Sequence, residues 1–309
     1  MRNIIGRRQW LLLAAVIYLI FAVVSLGVFR LKPSIELTSG SLLTARFGQA
    51  VTEAQLNQEL GNLGYGNAIV QQTGSGDFLI RTSELTGQAK TELENGLTAR
   101  FGPITEAEFS SVSPLVASET LRNAAIAVAI AIVGILLYVA WAFRKMPKPF
   151  RYGVCAVFAM AHDSVVALGL FAVMGQVMGW EVDIMFVTGI LGIIGYSIND
   201  TVVVFDRIRE NMTRGISTDF ATIVNTSINE TLTRNMTTAL AVLLTILALL
   251  FFVGASIQNL MVLMLIAVTA GTFSSVFLAP SLLVVWERGE WGRIFGRRRE
   301  PVLEAANSR

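Results

Sequence analysis

The chain has 309 residues, of which 53% are hydrophobic and only 15% charged, a balance that excludes a disordered chain and argues against an ordinary soluble enzyme. One cysteine, Cys155, and one histidine, His162, leave no intrachain disulfide and no Cys/His zinc cluster. The formal net charge of +2 is too small to point to nucleic acid, and neither a metal nor another cofactor is expected.

A hydrocarbon core needs about 20 helical residues to cross it, and six apolar runs qualify as candidate spans. The first, over 10–29, lacks the small-residue cleavage site of a signal peptide and reads as a retained anchor. Residues 31–122 follow as a small domain with both strand-like and helix-like stretches. A strand is predicted over 41–47. Thr52 is a plausible N-cap with Gln55 three residues on, and Leu56, Leu60 and Leu63 supply the apolar face of the helix they start. Two strands, 68–72 and 78–82, flank the turn Thr73-Gly74-Ser75-Gly76-Asp77, and a second helix over 87–101 leads to a strand around 104–111. This order is that of a split βαβ, or ferredoxin-like, sandwich. With no histidine or cysteine in it, and with Glu53, Glu59, Glu84, Glu92 and Glu94 on helix faces or near helix starts, the domain suits binding or movement rather than catalysis.

Residues 123–287 carry the other five runs, at 124–143, 154–177, 184–205, 237–253 and 260–286. His162 and Asp163 fall near the middle of the third, where they fit either structural hydrogen bonding or a place in an ion path. In the fourth, Gly189, Gly192 and Gly195 recur every three residues and suggest close helix packing in lipid. Asp200 lies 16 residues after Ile184, about 24 Å along the helix axis. An intramembrane acid is costly and by default functional. Tyr196 and Ser197, four and three residues earlier, share its face and could hold a hydroxyl chain to it, with Asn199 beside them. Residues 206–235 are polar, with Phe220, Ile223, Val224 and Ile228 at helical spacing, which predicts a helix lying on the cytoplasmic surface. Arg234 opens the fifth span, either snorkelling to headgroups or meeting Asp200. A carboxylate that loses its water holds a proton more tightly and one beside a guanidinium releases it, so an acid that meets and leaves an Arg acts as a transport element. The sixth run leads into a basic tail, 288–309.

The basic residues fix an orientation. Seventeen of the 24 Lys and Arg lie in the N-terminal tail, the 144–151 loop, the segment between the fourth and fifth spans and the C-terminal tail, while the short loops 178–183 and 254–259 have none. Positive charge is retained in the cytoplasm, so both termini are expected there and residues 31–122 outside.

The run Gly195-Tyr196-Ser197-Ile198-Asn199-Asp200-Thr201-Val202-Val203-Val204-Phe205-Asp206-Arg207 closely resembles the fourth-span signature of the SecD/SecF family of bacterial protein-export membrane proteins, on the SecF side. Asn229-Glu230-Thr231-Leu232-Thr233-Arg234-Asn235 resembles its fifth-span entry and His162-Asp163 its third-span pair. One departure stands in the run that opens the outer domain, usually Gly-Ile-Asp-Phe-x-Gly-Gly in the family and here Ser34-Ile35-Glu36-Leu37-Thr38-Ser39-Gly40. The resemblance implies a polytopic α-helical membrane protein of six spans with the ferredoxin-like domain between the first and second, placed in the bacterial inner membrane. It implies SecD as partner, work beside the SecYEG translocon with YajC as a further candidate partner, and use of the proton or sodium gradient to draw preproteins outward, with Asp200 and Arg234 as the ion-coupling pair. The family is similar to half of a resistance-nodulation-division transporter, which fits an obligate second half. Two other readings compete: a half-size small-molecule efflux permease of the same superfamily, for which an outer domain of about 90 residues leaves little room, and a scaffold without ion flow.

Overall fold

The six apolar runs form helices longer than the runs themselves. In this computed structural model, which describes residues 2–73, 76–144, 146–252 and 257–290, the long helices are α1 (Arg8–Phe29), α5 (Pro114–Ala142), α6 (Pro149–Met178), α7 (Ile184–Arg214), α8 (Phe220–Phe252) and α9 (Gln258–Phe273). The last continues through a π-helical segment (Ser274–Leu278) into α10 (Ala279–Arg288). Among the described residues, six helical stretches are long and apolar enough to cross a membrane, the pattern of a multi-pass helical membrane protein. The end of the fifth predicted span at residue 253, the loop residues 254–256, Lys145 and most of the basic tail lie outside the described residues.

Two boundaries depart from the sequence reading. The separate surface helix expected over 206–235 does not form: α7 runs on through Arg214, Gly215 stops it in the left-handed region with φ +65°, and α8 starts at Phe220. Ile223, Val224 and Ile228 are buried against α7 and α10 neighbours such as Ile208 and Leu283 rather than against a membrane surface. Asp219 closes this turn. Bonds from the Thr222 backbone and hydroxyl, and from the Arg288 guanidinium, hold its carboxyl below the usual range. The second helix starts at Pro114, nine residues before the expected boundary, because proline suits the first helical position and no breaker separates it from the apolar run.

The chain divides into two compact units. One comprises Ser25–Ala129 and Phe171–Thr188. Its sheet is built from β1 (Gly40–Phe47), β2 (Ile69–Gln72), β3 (Phe78–Thr82) and β4 (Ile104–Val112) in the order β2-β3-β1-β4, every pairing antiparallel. Helices α3 (Glu53–Asn62) and α4 (Gly87–Phe101) supply Leu56, Leu60, Leu93, Leu97 and Phe101 to a core completed by Leu43, Ala45, Phe47, Phe78 and Ile80 of the sheet. The alternation of Leu43, Ala45 and Phe47 puts one face of β1 inward. Thr52 caps α3 as a complete capping box, its hydroxyl accepting from Gln55 N while its own N–H donates to Gln55 Oε1 at 3.0 Å.

The atypical run 34–40 folds into a single helical turn, α2 (Ile35–Thr38), and its acid has a structural role, since Glu36 Oε2 accepts from the Ile184 N–H at 2.8 Å, beside Asp183, whose Oδ1 accepts from Phe186 N at 2.7 Å. Two carboxylates thus satisfy orphan donors at the start of α7. Ser34 N donates to Val182 O and Val182 N to Lys32 O, and Arg81 pairs with Glu181. Gly40 then turns the chain into β1 at φ +122°, where an added Cβ would lie 2.6 Å from the Thr82 carbonyl oxygen. That atom is backbone and cannot swing aside. Gly40→Ala is therefore expected to destabilise the chain by about 2–3 kcal/mol, read as a lower Tm of the purified protein in mild detergent; an unchanged Tm would contradict it.

The other unit comprises Met1–Val24, Ile130–Leu170 and Gly189–Arg309. Phe143 stacks on Tyr152, and Phe205 meets both edge-on, with centroids 5.4–6.0 Å apart; these rings tie α5, α6 and α7. Helices α1 and α6 touch through small residues, since a Cβ on Gly169 would fall 2.4 Å from Ala22 Cα. At the basic end, Asn225 accepts from the Ile4 and Ile5 N–H groups and Asn229 bonds both ways with Arg2, so α8 clamps the N-terminal segment. Arg8 pairs with Glu290, and Lys148 and Arg151 with Glu287.

Candidate functional site

The hydroxyls of Ser197, Thr201, Ser274 and Ser275 are buried inside the helical unit with Asp163, Asp200 and His162. Asp163 of α6 is 0% exposed. Its Oδ2 accepts from Ser197 Oγ of α7 at 2.7 Å and from Ser274 Oγ of the π-helical segment at 2.5 Å, while His162 Nδ1 lies 3.2 Å from Oδ1. The other ring nitrogen of His162 faces Ala15 O of α1 at 3.1 Å. A carbonyl only accepts, so His162 donates from Nε2. Four helical segments meet at this one acid–histidine pair.

The π-helical register is what brings Ser274 and Ser275 to the same side. Ser275 Oγ donates to Ser197 O at 3.0 Å and bonds the Thr201 hydroxyl at 2.9 Å. Gly271, one turn earlier, leaves room: a Cβ there would stand 3.6 Å from Asp163 Oδ2 and 3.6 Å from the Tyr196 ring.

Asp200 is the opposite case. It is 2% exposed, and its Oδ2 is cut off from solvent with no partner at hydrogen-bond geometry among the described residues. The Tyr196 hydroxyl is equally buried, and its interactions with Thr272 and Asp200 fall short of full hydrogen-bond geometry. Tyr196, through its hydroxyl, and Arg234, through its charge, are the side chains that bear on the Asp200 carboxyl. Arg234 itself is exposed and forms no ion pair with any described residue. Asn235, next to it, is 1% exposed with its Nδ2 unpaired. A buried carboxyl without hydrogen bonds is expensive, and such a group is one whose bonding changes when its surroundings do.

The sequence reading is corrected at three positions. Ser197 serves Asp163, not Asp200. Asn199 points to the exposed side of α7 rather than into the polar cluster. Gly189 and Gly192 do pack closely, with Leu260 and Leu263 2.8 Å and Met264 3.0 Å from their would-be Cβ atoms, but Gly195 meets nothing within 4 Å. Each step of three residues turns back about 60° on a helix of 3.6 residues per turn, so the third glycine sits about 120° around from the first. Sequence reasoning missed Thr201, Gly271, Ser274 and Ser275; the Ser274-Ser275 pair inside an apolar run was the available signal.

On the basic side of Asp200, Arg207 bonds Glu230 at 2.7 Å and Glu210 at 2.5 Å, and Asn211 donates to Glu230 at 2.7 Å and to Ser227 at 3.0 Å. The bonds to Glu230 and Ser227 couple α7 and α8. No group of three or more His, Cys, Asp or Glu suited to a metal occurs among the described residues.

Comparison with known proteins follows the same regions. Residues 93–289 match the family described as "Protein export membrane protein SecD/SecF, C-terminal". The protein translocase subunit SecF of Thermobaculum terrenum is 39% identical over 317 aligned residues, covering 99% of this chain and all of that one; that of Anaerolinea thermophila is 36% identical, covering 98% and 99%. The protein translocase subunit SecDF of Bacillus subtilis is 30% identical, and the match takes in 92% of this chain and 38% of that longer protein. The crystal structure of SecDF from Thermus thermophilus, titled a translocon-associated membrane protein, superposes with a TM-score of 0.81 at 31% identity, over 93% of this chain and 39% of that one.

Proposed function

From the premise that the chain belongs to the SecD/SecF family, as a SecF-type auxiliary subunit of the protein translocase, we propose that it converts an ion gradient into movement of preprotein through a change of ionisation at Asp200. The observation that carries this reading is the state of that acid: enclosed, with one oxygen left without a partner, and one helix away from Arg234. Nearby Asp163, with acceptors and donors matched, is the fixed point against which α7 pivots.

The sheet order β2-β3-β1-β4 with α3 and α4 supports a ferredoxin-like domain, which we assign to the outer side because the loop 178–183, free of Lys and Arg, bonds to the same unit through Glu181 and Val182. Both termini are then cytoplasmic and the membrane is the bacterial inner one. Relatives in which SecD and SecF form one chain favour a SecD subunit as the partner of this one; SecYEG, YajC and the preprotein complete the proposed assembly. The test is export in sealed vesicles carrying the translocase, the chain and its SecD partner. Imposing a proton or sodium gradient should speed late export beyond the ATP-only rate, and an ionophore should cancel the gain. Equal rates with and without a gradient would reject ion coupling in favour of a scaffold.

A further inference from the structure

A second site lies at the basic end of the helical unit. Arg144, just past the end of α5, Arg209 of α7 and Arg234 of α8 line one open cleft of 540 Å³ together with a single carboxylate, Asp206. Arg209 pairs with that carboxylate at 2.6 Å, so three guanidiniums against one acid leave a surplus of two positive charges. Trp141 and Tyr138 form the rim, 62% and 54% exposed, and the Arg144 guanidinium lies over the Trp141 ring, 4.7 Å from its centroid. Val202 and Val203 of α7 continue the cleft toward the apolar part of that helix. Positive groups that exceed their protein partners, amphipathic rings of the kind that sit at headgroup level, and an adjoining apolar wall are the complement of an anionic phospholipid: phosphate on the guanidiniums, glycerol at the rings, acyl chain on the valines. The volume is that of a small-ligand pocket.

We propose that this cleft binds the phosphate headgroup of an anionic phospholipid drawn from the surrounding bilayer. The inference rests on the basic helix ends lying at the membrane boundary, not on ion coupling at Asp200. A lipid phosphate seated here would lie against Arg234 and so bear on the residue opposite the buried acid.

The test titrates the delipidated full chain, alone and with its SecD partner, with phosphatidylglycerol or phosphatidylcholine, and counts bound lipid by native mass spectrometry. One phosphatidylglycerol should be held in preference to phosphatidylcholine in both preparations. Arg144→Gln with Arg209→Gln should weaken it about 25-fold, roughly fivefold per guanidinium, whereas Arg144→Lys with Arg209→Lys should hold it nearly as well as the parent. Equal retention of the two lipids, or undiminished phosphatidylglycerol binding by the Gln pair, would overturn the proposal. Loss of the lipid from the charge-preserving Lys pair would overturn it as well. So would displacement by inorganic phosphate alone, which marks a free-anion site, or by the SecD partner, which marks a protein interface. Because neither substituted residue takes part in the proposed coupling pair, gradient-driven export by an Asp200 variant reports separately on that function.

Discussion

Asp200→Asn should leave the chain folded and bound to its SecD partner while its gradient-dependent contribution to export falls to the level of vesicles that lack the chain. The substitution is nearly isosteric, and the buried Oδ2 of the carboxyl it replaces has no hydrogen bond to lose, so the change in stability is expected to stay below about 1 kcal/mol. An amide can neither take up nor release a proton in the working range. The ATP-driven part of export should therefore proceed as before. Tm in detergent and co-purification with the partner check the first half of this expectation, and export with an imposed gradient checks the second. Undiminished gradient-driven export by the variant would remove Asp200 from the coupling step. A silent variant combined with a complex that falls apart without the chain would point to the architectural role instead.

The two buried acids show what an amino-acid sequence tells and what it withholds. Asp163 and Asp200 are equally conspicuous in apolar runs, and the energetic cost of an acid in lipid marks both. Apart from His162 beside Asp163, nothing local separates them. Their difference comes from helices distant in sequence: Ser197, 34 residues on, and Ser274, 111 residues on, satisfy Oδ2 of Asp163, whereas Oδ2 of Asp200 has no such partner among the described residues. Hydroxyls in membrane helices commonly bond the carbonyl a turn earlier, as Thr188, Thr238 and Thr269 do here, so their presence alone does not reveal which of them reach across. Ser274 and Ser275 reach Asp163 and Thr201 from the π-helical segment, whose altered register no composition signal announces.

Helix ends were harder to read than helix existence for a related reason. The polar extensions of α7 and α8 carry no breaker until Gly215, and a helix of Arg, Glu and Asn continues as readily as one of Val and Ile when neighbours pair its charges, as Glu230 does for Arg207. In the sheet-bearing unit the signals were local and therefore legible: the Thr52–Gln55 capping box forms as expected, and the hairpin strands 69–72 and 78–82 fall within a residue of their predicted limits. The role of Glu36 was not legible, because its partner is the first turn of a helix 148 residues away.

That contrast sets the second large expectation. Asp163→Ala removes the common acceptor of Ser197 and Ser274 and the partner of His162 in a site with no access to water. Ser274 retains a bond to Gly271 O at 3.1 Å, but Ser197 and His162 Nδ1 are left facing a void. Two orphaned polar groups at about 1–3 kcal/mol each, offset in part by rotamer adjustment, place the loss at about 2–4 kcal/mol. Hydrogen bonds between membrane helices average nearer 0.6 kcal/mol in measured cases, which favours the lower end unless the void stays dry. The network joins four helical segments, so its loss should loosen α1, α6 and α7 together and also reduce gradient-driven export, as a consequence of instability rather than of lost ionisation. The check is paired thermal unfolding of the two variants in one detergent: Asp163→Ala should melt well below the parent while Asp200→Asn melts close to it. Restoring the acceptor without the charge, with Asp163→Asn, should recover part of the difference, because one amide oxygen can still take a serine hydroxyl while its NH2 group opposes the other. If Asp163→Ala melts no lower than Asp200→Asn, the hydroxyl network is not what holds these helices in register, and the division of labour between a pinned acid and a free one fails with it.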